Sequence, residues 1–151
     1  MVESALLIVN PIAGRGRGQR VLATLEHGLR HAGVDTEVSV TRCAGDARRS
    51  ASDLGAGRDV VVAVGGDGTL NEVINGVPPG GAVTQFPLGT GNVLAKELGL
   101  PRHVGRFCRM VREGRQRLLD LGTAAGRRFV SFVGIGFDAA ITAAMESKRQ
   151  G

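Results

Sequence analysis

Five consecutive apolar residues, Val60-Val61-Val62-Ala63-Val64, lead straight into Gly65-Gly66-Asp67-Gly68-Thr69-Leu70-Asn71-Glu72. β-Branched side chains favour extended backbone, and a run that is apolar at every position suits a strand covered on both faces, as in a parallel sheet. Beyond the glycines, Leu70, Val73, Ile74 and Val77 recur at i, i+3, i+4 and i+7, which predicts one face of a helix. A glycine-rich turn between a buried strand and a helix start lets the main chain approach a ligand closely. It also aims amide N–H groups and the positive helix end outward. The junction therefore reads as an anion site whose chemistry suits phosphate.

The same alternation runs through most of the chain. Residues 5–9 predict a first buried strand, residues 10–18 a glycine-punctuated loop, and Val21, Leu22, Leu25 and Leu29 a helix face. Val34, Thr36, Val38 and Val40 alternate as a second strand nearer an edge, and Asp46 is placed to cap a short helix through Ala47, Ala51 and Leu54. Residues 82–88 give a fourth strand. The loop at residues 89–92 opens a helix over Val93, Leu94 and Leu98, and a further helix carries Val104, Phe107, Cys108 and Val111. Strands alternating with helices predict an α/β fold over residues 1–114, a three-layer parallel sheet with helices on both faces. From residue 115 the pattern changes. Residues 117–122 and 128–133 read as strands of a hairpin around Ala124-Ala125-Gly126, followed by a helix face over Ala140, Ile141, Ala144 and Met145. This predicts the start of a truncated, β-rich second domain at residues 115–151, and the chain reads as a fragment.

Composition narrows the partners. A chain of 151 residues is long enough for one substantial core. Five Phe and no Trp or Tyr leave little for stacking on bases, so nucleic acid is not expected as a partner. The net charge of +5 rests almost wholly on arginine and suits anionic ligands. There is neither a basic leader nor an apolar run near the ~20 residues of a membrane span, so the expectation is a cytoplasmic protein with any contact at the inner membrane surface peripheral. Cys43 and Cys108 lack CxxC spacing and read as reduced thiols, and His27, His31 and His103 show no ligand pattern for metal.

In an open parallel sheet, ligands bind outside the carboxyl ends of the strands. The loops at residues 10–18, 41–46, 65–69 and 89–92 follow those ends. They should share one rim carrying Arg15, Arg17, Thr41, Asp67, Thr69, Thr90 and Asn92, with amides and arginines to hold phosphates. The GxxxxGK[ST] loop is absent, and Gly14-x-Gly16 fails GxGxxG because Gln19 stands where glycine is needed. Structural readings compete at each position. Thr69 and Glu72 fit a Thr-x-x-Glu capping box, and Asp67 or Asn10 could serve only to shape a turn. A carboxylate among glycines at a helix start would nevertheless oppose phosphate unless Mg²⁺ or a substrate hydroxyl stood between, which favours a catalytic or metal role for Asp67. Arg102, Arg106 and Arg109 share a helical face that reads first as solvated surface and second as membrane-facing.

Asn10-Pro11-x-Ala13-Gly14, the stretch from Gly65 through Glu72 to Val73-Ile74-Asn75-Gly76, and Pro87-Leu88-Gly89-Thr90-Gly91-Asn92 together resemble the diacylglycerol kinase catalytic domain family. That family includes bacterial diacylglycerol kinases and sphingosine kinases. NAD kinases share the Gly-Gly-Asp-Gly core without the Asn-Glu-Val-x-Asn-Gly continuation. The resemblance implies an ATP- and Mg²⁺-dependent lipid kinase acting on diacylglycerol or a long-chain base. It implies nucleotide contacts at Asn10, Pro11, Ala13, Gly14 and Arg15, and at Gly65, Gly66, Asp67, Gly68, Thr69, Leu70, Asn71 and Glu72. Thr41, Gly89, Thr90 and Asn92 would complete the pocket. Asp67 would assist transfer or hold the metal, and Asp138, in the Gly134-Ile135-Gly136-Phe137-Asp138 segment, would lie near the lipid hydroxyl. The chain departs from the family in lacking most of its second domain and in having Val93 where an acid is frequent. The other readings are a nucleotide-binding module without catalysis and a relative of NAD kinases.

Overall fold

The computed structural model describes residues 1–131 together with Gly134, Gly136, Ala139 and Ala140. Strand propensity and burial coincide in β3 (Val60–Gly65), every residue of which is buried. It lies between β1 (Ser4–Val9) and β4 (Val83–Pro87), and β2 (Asp35–Val40) joins the far side of β1, giving the order β2-β1-β3-β4. All neighbours are parallel, and the register sets Val64 opposite Val9 and Phe86, and Val9 opposite Val40. The four strands therefore end level, so their loops emerge on one edge. β2 is the edge strand that its alternating sequence predicts.

Because successive side chains of a strand point to opposite faces, an all-apolar strand feeds two cores. On one face Leu7, Val9, Val62 and Val64 meet Leu25 and Leu29 of α1 (Ala13–His31) and Phe107, Cys108 and Val111 of α5 (Val104–Glu113). Phe86 and Phe107 pack edge to face there, with ring centroids 5.0 Å apart. On the other face Leu6, Ile8, Val61 and Ala63 meet Ala47 and Ala51 of α2 (Asp46–Leu54) and Leu70, Val73 and Ile74 of α3 (Asp67–Gly76). Each Val, Leu, Ile or Phe among them contributes about 1.5–3 kcal/mol by leaving water. The small residues of α2 bring it hard against α3, where a methyl group on Gly76 would stand 2.1 Å from the Arg48 carbonyl oxygen. A short helix, α4 (Val93–Glu97), follows β4. No helix among the described residues is long and apolar enough to cross a membrane.

Three local expectations need correction. The cap of α2 is Gly45, at φ 87°, and Asp46 is its first helical residue. The first helix starts earlier than its apolar spacing predicts but is interrupted at Gly14, Arg15 and Gly16, which are left-handed. The hairpin strands are shorter than the sequence suggests: β5 (Gly122–Ala124) pairs with β6 (Arg127–Phe129), turning at Ala125 and Gly126 with φ of 48° and 73°. Two successive positive φ angles make a turn whose twist matches paired strands. Residues 115–121 take no regular structure and leave Leu118, Leu119 and Leu121 exposed, since apolar character alone supplies no partner strand. Asp138 and the helix expected through Ile141, Ala144 and Met145 lie outside the described residues.

Candidate functional site

The loop after β1 is locked onto its neighbours by main-chain contact. Asn10 donates its N–H to the Val64 carbonyl, its Oδ1 accepts from Ile12 N–H at 3.2 Å, and its Nδ2 reaches Thr69 Oγ1 at 3.5 Å. The Asn10 carbonyl receives Ala13 N–H and the Pro11 carbonyl receives Gln19 N–H. A methyl group on Gly14 would lie 2.6 Å from the Leu88 carbonyl oxygen, so this loop crosses the end of β3 to touch the loop after β4. Arg15 holds a left-handed conformation (φ 63°) that costs a non-glycine residue about 1–2 kcal/mol, and Arg17 Nε donates to the Gly14 carbonyl at 3.0 Å. Both guanidinium groups belong to exposed residues on the rim.

The junction between β3 and α3 is the open part of the rim. Gly66 is extended and serves as the N-cap of α3 without any side-chain cap. The N–H groups of Asp67, Gly68 and Thr69 have no partner among the described residues. Orphan amides at a helix start carry the positive end of its dipole. A methyl group on Gly89 would stand 2.6 Å from Gly66 Cα, whereas one on Gly68 would meet nothing within 4 Å. Glycine is thus required at one point for close loop contact and at the other leaves room in front of the helix. Gly65 is buried beneath Thr69, and Gln85, fully buried in β4, donates Nε2 to the Gly65 carbonyl at 3.2 Å.

The polar side chains of α3 turn sideways, each to a different neighbour. Asp67 accepts Asn92 N–H on Oδ2 and Val93 N–H on Oδ1, both at 2.7 Å, so it caps α4. Glu72 accepts Gly45 N–H at 3.0 Å and Ala47 N–H at 3.2 Å, so it caps α2 and does not turn back into the Thr-x-x-Glu box on its own helix. The local motif is matched, but the helix starts at Asp67, so Thr69 stands inside its first turn and not at the cap. Asn75 pairs with the main chain of Arg128, accepting its N–H at 2.9 Å and donating to its carbonyl at 2.8 Å. Leu70 is buried in the core, and Asn71 is exposed and accepts from Asn75.

The two remaining loops combine bonds of their own with these ties to α3. Asn92, fully buried and left-handed (φ 47°), accepts Gly89 N–H at 2.9 Å and donates to the Gly89 carbonyl, leaving Thr90 exposed at the tip. Thr41 directs both its N–H and its hydroxyl to the Val9 carbonyl. Asp46 accepts Arg42 N–H at 2.8 Å and Cys43 N–H at 3.0 Å and pairs with Arg49, and these bonds, the Arg42 amide foremost, hold its carboxyl well below the usual range. The loop between β2 and α2 therefore has its amides at Thr41, Arg42, Cys43 and Gly45 already bonded. This corrects the expectation that all four loops offer amides to an anion.

Several sequence candidates lie elsewhere. Arg102, Arg106 and Arg109 are exposed on or beside α5, where His103, Gly105, Arg106 and Arg109 line a surface depression of about 590 Å³. His27 and His31 stack on α1 with centroids 6.4 Å apart, and no cluster of three or more His, Cys, Asp or Glu occurs among the described residues. Two structural ties escape sequence reasoning: Asn75, which holds the hairpin, and Gln85, which holds the Gly65 carbonyl beneath the site. A glutamine inside an otherwise apolar strand end was the available signal for the second.

Residues 4–124 match the family described as diacylglycerol kinase catalytic domain. A diacylglycerol kinase of Bacillus subtilis is 35% identical over 140 residues, covering 89% of this chain and 46% of that protein. One from Staphylococcus saprophyticus is 35% identical over 135 residues, covering 87% and 44%. The crystal structure of a diacylglycerol kinase from Bacillus anthracis superposes with a TM-score of 0.79 at 31% identity, over 95% of this chain and 51% of that one. The chain thus spans about half the length of the relatives it matches. With the motifs in sequence, the parallel sheet and the family match in agreement, this chain belongs to the diacylglycerol kinase catalytic domain family.

Proposed function

We propose that the rim is the ATP-binding half of a lipid kinase that transfers the γ-phosphoryl group of ATP to the hydroxyl of a lipid alcohol such as diacylglycerol. The observation that carries this reading is the first turn of α3, whose three unanswered amides stand at a positive helix end with open space at Gly68. On this reading the phosphates lie against Gly66, Asp67, Gly68 and Thr69. Arg15 and Arg17 add positive charge from the neighbouring loop, and Gly14, Thr41, Gly89, Thr90 and Asn92 frame the pocket. Phosphoryl transfer depends on positioning and charge neutralisation, which this rim of fixed amides and arginines can supply. Mg²⁺ bound with the triphosphate would neutralise charge on the transferred group. Asp67 already holds two amides, so an ion carried mainly by phosphate oxygens and water fits these residues. Ile12 and Val93, exposed beside the glycines, give the rim an apolar edge suited to an acyl chain at a membrane surface.

Residues 1–114 would form the nucleotide-binding unit and the hairpin would begin the part that meets the acceptor. A second reading, a nucleotide-binding module without catalysis, is favoured by one observation: both acids of the motif are occupied as helix caps. The two readings separate in one assay. Radiolabelled ATP and diacylglycerol in mixed micelles should yield labelled phospholipid, and binding of Mg-ATP without label would support the module instead. Gly68→Ala tests the site itself. The methyl group meets no protein atom, so folding should be unaffected while Mg-ATP affinity falls roughly 10-fold. Unchanged affinity would move the phosphates away from α3.

A further inference from the structure

We infer that Glu72 is a positioning residue for the nucleotide, acting through the loop at residues 41–45 and not by touching the ligand. The inference rests on the ATP reading above. Both Glu72 oxygens accept main-chain amides of α2's first turn, at Gly45 and Ala47, although 27 and 25 residues separate them in sequence. A carboxylate at a helix start answers orphan amides and the positive helix end together. Its oxygens are therefore engaged where a ribose or phosphate group would have to displace them.

The loop that Glu72 anchors is one wall of the rim. Its other ties run to β1, through Thr41 on the Val9 carbonyl, and to its own helix, through Asp46. Among the described residues, the Gly45–Glu72 bond is the hydrogen bond that joins this loop to α3, and the Ala47–Glu72 bond ties the first turn of α2 beside it. The far end of α3 is already packed against α2, with Gly76 against the Arg48 carbonyl. Glu72 supplies the second fixed point, near the rim, and so sets the spacing between Thr41 and the open first turn of α3. Glycine at position 45, at φ 87°, lets the chain turn its N–H toward Glu72 without strain.

The test pairs amide exchange at Gly45 and Ala47, followed by NMR without nucleotide, with calorimetry of Mg-ATP, for wild type, Glu72→Gln and Glu72→Ala. Glu72→Ala should speed exchange at both amides roughly 10-fold and weaken Mg-ATP binding by a similar factor. Glu72→Gln keeps one acceptor oxygen and should fall between. Weaker binding with both amides still protected would mean that Glu72 touches the nucleotide, and the inference fails. Faster exchange with unchanged affinity would leave Glu72 a purely structural cap, and it fails again. Wild type giving no heat with Mg-ATP would instead defeat the ATP reading on which the inference stands.

Discussion

Asn92 offers a sharp energetic test because its side chain is fully buried and closes the loop after β4 on itself. It accepts Gly89 N–H at 2.9 Å and donates to the Gly89 carbonyl, while its own backbone is left-handed at φ 47°. Asn92→Ala removes both bonds at about 1 kcal/mol each. It also places alanine in a conformation costing about 1 kcal/mol more than for asparagine, which adopts it readily. The sum is about 3 kcal/mol, which lowers the melting temperature of a domain this size by roughly 6–12 °C at 2–4 °C per kcal/mol. Asn92→Gly loses the same bonds without the backbone penalty and should shift melting by roughly 4–8 °C. Asn92→Asp keeps the acceptor but sets a carboxylate oxygen against the Gly89 carbonyl, and should be at least as damaging as alanine. The order glycine, alanine, aspartate can be read by calorimetry at neutral pH. An aspartate variant as stable as wild type, or a glycine variant worse than alanine, would refute the account of the loop.

Three further outcomes follow from the site. Asp67→Asn presents an amide NH₂ to one of the two α4 amides; it should destabilise the fold by about 1–3 kcal/mol and weaken Mg-ATP binding. Loss of phosphate transfer with stability and affinity intact would make Asp67 a reacting group instead of a strut. Asn75→Ala releases the Arg128 main chain and should raise amide exchange in the hairpin without altering Mg-ATP affinity, because Asn75 lies about 12 Å down the helix from Asp67 at 1.5 Å per residue. Asp59, held by the Glu3 and Ser4 amides, has its carboxyl below the ordinary range, as does Asp46. A depressed folded pKa adds stability that is complete above the unfolded value, near 3.9, and is lost as pH falls through the folded value. Denaturation between about pH 5 and pH 2 should therefore show the acid limb, and Asp59→Asn should remove part of its slope.

The sheet was legible because burial on both faces leaves a direct trace in sequence. The unbroken valines of β3 and the alternating residues of β2 distinguish a central from an edge strand. Loop placement followed from parallel topology, since all carboxyl ends must then face one way. Side-chain partners were not legible. Thr69 and Glu72 match a local box, yet Glu72 bonds to amides more than twenty residues away, and periodicity carries no information about which neighbour a polar group meets. Arg15 hid the left-handed stretch, because arginine is an unfavoured residue there and only the flanking glycines hinted at it. The hairpin strands were overextended for a related reason: β character at residues 117–121 was read from the residues alone, while a strand exists only where another pairs with it.

The arrangement of acids around α3 explains why its own start stays open. At about 100° per residue, Asp67, Glu72 and Asn75 fan over roughly 140° of the helix, while Leu70, Val73, Ile74 and Val77 cluster on the opposite arc. The polar arc is therefore free to reach three different elements while the apolar arc holds the sheet. Two of its members are carboxylates, and each fills the positive end of another helix, Asp67 at α4 and Glu72 at α2. Had either acid folded back to cap α3, it would have occupied amides of the first turn and set a negative charge against the proposed phosphate site. Gly66 in the cap position, with no side chain, keeps that place clear. Of the three helices α2, α3 and α4, the one that lends carboxylates to both neighbours is thus the one whose own first-turn amides stay unanswered among the described residues, and the proposed phosphate site at α3 rests on that difference.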